Sequence, residues 1–176
     1  MDVRLLTDKT RLQEIYDLRV TAYQDSPYSK YINSEIYPKG YFDNLDPLET
    51  TYHWIIEDQQ QIIGSVRLAV IHDLEKMREK LTMLTLPEER PFAYCGRTAV
   101  HPKLRGTEVI FKLDRVIKQF IIENDWIKFG LCYVIPERVK AVKRLGFRHI
   151  GEIEYDWGNQ NKMQLAAFLM DRQNLG

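Results

Sequence analysis

Residues 97–113 read RTAVHPKLRGTEVIFKL. A strand-like run leads into a turn with Pro102 and Gly106, and a helical pattern follows. The first amides of a helix have no partner within it, and its dipole favours negative charge, so such a turn can hold an anion. Lys103 and Arg105 either add positive charge at the rim or stand as solvated loop residues. Glu108 and Ile110 put an acidic and a bulky side chain where a diphosphate would need open backbone. Elsewhere the chain offers Arg19, Arg67 and Arg97 with two carboxylates spaced as Asp43-x-x-Asp46. These can form an ion-pair network that shapes the loop between them.

The elements that must position these groups follow from periodicity. Val3 to Leu6 reads as a short strand. Thr7 and Asp8 are good caps for an amphipathic helix over residues 8–24, with Leu12, Ile15, Tyr16, Leu18 and Ala22 near helical spacing. The stretch QDSPYSKYINSEIYPKGYFDNLDPLE has no clean period, and long structured loops often carry function. TYHWIIED and QQQIIGSVRLAVI flank a polar turn and predict an antiparallel hairpin. Residues 73–90 read as a charged, partly helical insertion. PFAYCGRTAV is a third strand. Val109, Ile110, Leu113, Val116, Ile117, Phe120 and Ile121 mark the next helix. IKFGLCYV is a buried-type strand, and PERVKAVKRLGF a short basic helix with Pro136 near its start and Gly146 near its end. RHIGEIEYDWG and KMQLAAFLM close the chain as a strand pair. This order predicts an α/β (α+β) fold: a mixed, mostly antiparallel sheet flanked by helices, in one domain over residues 1–176.

Composition removes several function classes. A hydrophobic fraction of 44% argues against disorder. Lys and Arg total 25 against 25 Asp and Glu, so no general attraction to nucleic acid or anionic membrane is expected. Met1 to Leu6 lacks the apolar core of a signal peptide, and no run is long enough to span a bilayer. Cys95 and Cys132 make no disulfide framework and fit a reducing cytoplasm. His53, His72, His101 and His149 show no ligand spacing, so no metal is expected.

The order of elements, with VHPKLRG before a helix and KRLGF later, resembles the GNAT acyltransferase superfamily. The resemblance implies a sheet with splayed central strands. It also implies a turn whose backbone amides, here from Gly106 through Thr107 and Glu108, hold the pyrophosphate of coenzyme A with help from Lys103 and Arg105, and an N–H near Val100 that donates to the oxyanion of the thioester carbonyl. A narrower resemblance rests on LRVTAY, YFDNLDPLE, GSVRL and YCGRTAV. Arg19, Tyr23, Asp43, Asp46, Arg67 and Arg97 match the pattern of the acyl-homoserine-lactone (autoinducer) synthases and the N-acyl amino acid synthases. Tyr94 stands where that branch has Glu.

That resemblance implies an N-acyltransferase acting on a small amine such as an amino acid. The donor is a fatty acyl thioester, from acyl-carrier protein rather than acyl-CoA, with no tightly bound cofactor. A carrier arm brings one phosphodiester and no pyrophosphate, which suits the thinned turn. Lys103, Arg105, Lys112, Arg115 and Lys118, or Lys140, Lys143, Arg144 and Arg148, can dock an acidic carrier. The rivals are an acetyl-CoA-dependent N-acetyltransferase and a non-catalytic module that binds an acyl ligand. Aminolysis requires a deprotonated amine, a polarised carbonyl and a departing thiolate. Arg67, Arg97, Asp43, Asp46 and Tyr94 are the candidates on the acceptor side, with the two aspartates as possible bases. The superfamily's leaving-group Tyr is Val142 here, and Tyr133 and Cys132 are the nearest substitutes by sequence.

Overall fold

The computed structural model describes residues 1–77, 84–158 and 160–172. Among these residues seven strands form one sheet: β1 (Val3–Leu5), β2 (Thr51–Asp58), β3 (Gln61–Ile71), β4 (Phe92–Val100), β5 (Phe129–Val134), β6 (Arg148–Asp156) and β7 (Lys162–Asp171). Their spatial order is β1-β2-β3-β4-β5-β7-β6, and only β4 and β5 run parallel. The expected mixed, mostly antiparallel sheet is therefore present. The β2–β3 hairpin turns through Gln59 and Gln60, both at positive φ (46° and 68°), the twist that matches paired strands.

Three α-helices among the described residues cover the sheet. The first, α1 (Leu12–Thr21), is shorter than the predicted span of 8–24. Asp8 caps a 3-10 turn over Lys9–Arg11, and α1 begins only after it. Leu12, Ile15 and Leu18 bury one face of α1 against Ile55, Ile62 and Ala99. Gly40 has φ +84°, and a Cβ there would lie 2.5 Å from Cβ of Tyr16, so the long loop can lie flat on α1 only with glycine.

On the opposite face, α2 (Val109–Glu123) seats Val109, Leu113, Ile117 and Ile121, one turn apart, on Trp54, Ile56, Val66 and Leu68. Each such side chain contributes about 1.5–3 kcal/mol of burial. Alongside it, α3 (Val139–Leu145) ends at Gly146 in the left-handed region (φ 103°), as its sequence predicts. Of the insertion, Leu74–Lys76 forms a 3-10 turn. Residues 78–83 lie outside the described residues. No helix among the described residues is long and apolar enough to cross a membrane.

Two features of the sheet make the site. First, β4 and β5 pair only at Ala93–Gly130, Tyr94–Leu131 and Cys95–Cys132. Beyond that last rung β4 stays with β3 and β5 with β7, so the sheet forks. Second, β4 carries a bulge: Arg67 faces Gly96 while Ser65 faces Ala99, so Arg97 and Thr98 stand opposite Val66 alone. Arg97 has φ 55°. A bulge shifts the alternation of faces by one residue. It turns Arg97 to the same side as Tyr94, while Cys95 faces α2.

Candidate active site

The loop between α1 and β2 is built around its two aspartates. The Asp43 amide donates to Asp46 Oδ2 (2.9 Å), and the Leu45 amide donates to Asp43 Oδ1 (2.9 Å). The Asp-x-x-Asp spacing is thus a turn in which each carboxylate fixes local backbone. Three arginines from three elements close on it. Arg19 donates Nη1 and Nη2 to the two oxygens of Asp46, both at 2.9 Å. Arg67 Nη1 lies 2.6 Å from Asp43 and 3.2 Å from Asp46. Arg97 Nη2 donates to Asp43 Oδ2 at 2.8 Å. Arg19, Asp46 and Arg67 are all but fully buried.

Burial works to raise both carboxyls, and the arginines outweigh it: Arg67 and Arg97 around Asp43, Arg19 and Arg67 around Asp46. Both sit below the usual carboxylate range. Neither lines the adjoining cavity. Carboxylates held that low are poor bases, and both of these are engaged by arginines.

His53 lies behind this cluster and donates Nε2–H to the Asp46 carbonyl at 3.0 Å. Burial depresses its pKa from 6.5 to about 4, with Arg19 adding to the effect. Below about pH 6.5 the unfolded chain takes up this proton and the folded chain does not. Stability therefore falls as pH drops through that window, by up to about 3 kcal/mol. Urea unfolding of His53→Gln, at neutral pH and near the lower end of the window, is expected to show a flatter pH dependence than the unaltered protein. An identical slope would exclude His53 as the cause.

A cavity of about 330 Å³ passes through the fork. On the loop face its wall includes Tyr23, Tyr41, Tyr94, Arg97, Tyr155 and Trp157; on the helix face, Cys95, Ile110, Ile117, Val142 and Phe147. Arg97 stacks 4.0 Å above the ring of Tyr41, whose hydroxyl lies 3.1 Å from that of Tyr155. Trp157 packs edge-on against Tyr155 and Tyr23. Arg97 Nη1 and Trp157 Nε1 are buried donors with no hydrogen-bond partner among the described residues. Three guanidiniums against two carboxylates leave one positive charge in the cluster. Unsatisfied buried donors beside a net cation favour an anionic guest.

The other predicted residues are placed as follows. Tyr23 is on the loop-face wall, its hydroxyl pushed up to about 12 by burial. Tyr94 and Tyr133 lie across the fork from each other, ring centroids 5.3 Å apart. Cys132 is buried at the last rung, and burial pushes its thiol well up. Val100 ends β4 at the cavity wall.

In the turn, Gly106 has φ +78°, and a Cβ there would meet nothing within 4 Å, so backbone conformation alone selects glycine. The Thr107 amide donates to Leu104 O (3.2 Å), and its hydroxyl takes the Val109 amide (3.4 Å). Glu108 pairs with Lys112 at 2.8 Å. Arg105 does not face the turn's amides: its guanidinium donates to the carbonyls of Ala22 (2.9 Å) and Gln24. Lys103 is exposed.

Arg105 thereby ties the start of the long loop to the β4 side of the fork. Tyr28 ties it to the other side, donating to Glu137 at 2.5 Å just before α3. Sequence reasoning missed Tyr41 and Tyr155. It also missed Asp114 and Arg138, which pair at 2.6 Å on the helix-face wall. Asp114 had a readable signal: an acid inside the apolar stripe of α2.

The family model of the N-acyl amino acid synthase FeeM matches residues 14–168. The chain belongs to the FeeM family of N-acyl amino acid synthases. Membership makes it an N-acyltransferase, as the fork, the cluster and the resemblance of its motifs imply. Comparison by sequence with curated proteins finds no match. Among solved structures, FeeM, an N-acyl amino acid synthase from uncultured soil microbes, has a TM-score of 0.70 at 13% identity, over 98% of this chain and 91% of that one. The CoA-dependent acyl-homoserine lactone synthase BjaI, solved with SAM and isopentyl-CoA, has a TM-score of 0.68 at 14% identity, over 99% and 85%. Escherichia coli ElaA has a TM-score of 0.65 at 13% identity, over 97% and 100%. At such identities these likenesses speak to the fold, that of the GNAT acyltransferases.

Proposed function

We propose that this FeeM-family protein moves a fatty acyl group from an acyl thioester to the amine of a small carboxylate-bearing acceptor such as an amino acid. The donor is acyl-carrier protein rather than acyl-CoA. Residues 1–176 act as one acyltransferase domain in the cytoplasm.

The observation that carries this reading is the cavity that crosses the sheet at the fork. Its helix face is mainly apolar and suits an acyl chain. Its loop face offers Arg97, Trp157 and a ring of tyrosines, and suits an amino acid's carboxylate and side chain. The choice of carrier protein is supported by the turn. Two of its amides are already engaged, Glu108 is acidic, and Arg105 is committed to the long loop. Arg115, Lys118, Lys140, Lys143 and Arg144 form no ion pair among the described residues and can meet an acidic partner.

The test is mass spectrometry of lipid extracts from cells overproducing the protein. A new N-acyl amine is expected, and it names chain length and acceptor together. Purified protein is then offered octanoyl-carrier protein or octanoyl-CoA with the acceptor so found. The carrier form is expected to react faster, and free coenzyme A to bind with Kd on the order of 10⁻⁴ M or weaker. A tight coenzyme A complex with its pyrophosphate on the amides of residues 106–110 would falsify the donor assignment. Extracts without a new N-acyl amine, and thioesters left intact, would remove the reaction itself.

A further inference from the structure

We infer that Arg138, held by Asp114, receives the negative charge of the thiolate that leaves during acyl transfer; this rests on the acyl-transfer reading above. Asp114 stands on α2 one turn from Ile110 and one turn from Ile117, in the stripe that faces the cavity, and is 7% exposed. It is the one carboxylate among the described residues that lines the cavity. Arg138, at the head of α3, directs Nη2 at both of its oxygens, at 2.7 and 2.6 Å. A guanidinium has five N–H groups in a fixed fork. Nη1 and Nε of Arg138 make no hydrogen bond among the described residues.

Packing does not require such a pair, since apolar side chains of like volume are usually as stable in a buried position. It is placed where a charge appears. Cys132, on the last rung of the fork, lies within electrostatic range of Asp114 and Arg138, and Val142 lines the same wall. Position 142 carries no group able to donate a proton or hydrogen bond. Arg138 supplies one from the neighbouring turn, and Asp114 fixes its orientation as a positioning residue.

The step balances without a co-reactant. The amine's lone pair forms the C–N bond, and the C–S bond breaks with its electron pair on sulfur. The free N–H groups of Arg138 hydrogen-bond that sulfur. The proton released by nitrogen reaches it through water, which leaves amide and thiol. Arg138 and Asp114 keep their own protonation states throughout.

A leaving-group series with the full chain tests this. The octanoyl thioesters of N-acetylcysteamine, a poor leaving thiol, and of thiophenol, a good one, are offered with a mixture of the twenty amino acids. Arg138→Met is expected to slow the first by about 10²-fold and to leave the second nearly unchanged. Added guanidinium is expected to restore part of the loss in Arg138→Ala. Asp114→Asn is expected to show the same pattern more weakly. If Arg138→Met fails to fold, Arg138→Lys, which keeps the charge without the planar fork, is expected to show the same pattern more weakly. Equal slowing of both esters, or a change in KM alone, would overturn the inference while leaving acyl transfer intact. If the unsubstituted protein consumes neither ester, both readings fall.

Discussion

Asp46→Asn is expected to lower the folding free energy at neutral pH by about 3–5 kcal/mol, with Tm falling by on the order of 10 °C. Asp46 is fully buried and accepts both terminal nitrogens of Arg19 at 2.9 Å, Arg67 at 3.2 Å and the Asp43 amide at 2.9 Å. An amide at this position turns an NH₂ group toward a guanidinium. Arg19, itself 1% exposed, is then a buried cation without its counter-charge. The sign of the pH dependence follows from the same contacts. The folded carboxyl titrates below its unfolded value of 3.8, so its contribution is complete above that pH and is lost as pH falls further. The variant should therefore be far less stable than the unaltered protein at pH 7 and converge on it in acid. A combined change, Arg19→Met with Asp46→Leu, removes both charges and should cost less than Asp46→Asn alone. Thermal melts of the three proteins at two pH values decide the matter. A loss below about 1 kcal/mol in Asp46→Asn would show that this pair behaves as an exposed one.

Arg97→Met is expected to lower kcat/KM for the acceptor by about 10²–10³-fold, with KM for the thioester little changed. Arg97 differs from Arg19 and Arg67 in what it leaves over. Nη2 is taken by Asp43 at 2.8 Å and the plane lies on Tyr41, but Nη1 makes no hydrogen bond among the described residues. It lines the cavity beside Trp157, whose ring nitrogen is likewise without a partner. Both are donors, the pattern that a carboxylate satisfies. Arg97→Lys keeps the charge but not the flat fork, and should recover only part of the loss. Steady-state rates with each substrate varied in turn check this. Equal losses in both KM values, or none, would place Arg97 in the scaffold only.

Much of this fold was readable because it rests on local pattern. The stripe Val109–Leu113–Ile117–Ile121, the hairpin around Gln59 and Gln60, and Gly146 at the end of α3 each follow from spacing that one element decides alone. The site was less readable because it depends on where elements cross. Asp43 and Asp46 signalled a charged turn, yet only three-dimensional packing shows that their oxygens are consumed by arginines. Arg105 reads as a phosphate ligand by position, and its guanidinium instead takes carbonyls of a loop distant in sequence. Tyr41 lies far in the chain from Tyr155 and Trp157 and meets them only because β6 and the long loop share one face of the sheet. The bulge at Arg97 is announced only by Gly96, one residue before the left-handed position. A left-handed backbone at an arginine is set by pairing with β3, not by the residue itself.

The fork has a consequence for the order of events. A cavity whose walls come from both faces of one sheet has room for a guest on each side, so neither substrate has to leave before the other arrives. Acyl donor and amine can then meet in a ternary complex and exchange the acyl group directly. The alternative, a covalent acyl-enzyme, would need a nucleophile at the crossing. The thiols there, Cys95 and Cys132, are buried; burial pushes the first up to about 12 and the second well up. Neither ionises readily near neutral pH. The architecture that brings two molecules together from opposite sides thus also removes the need to store the acyl group on the protein.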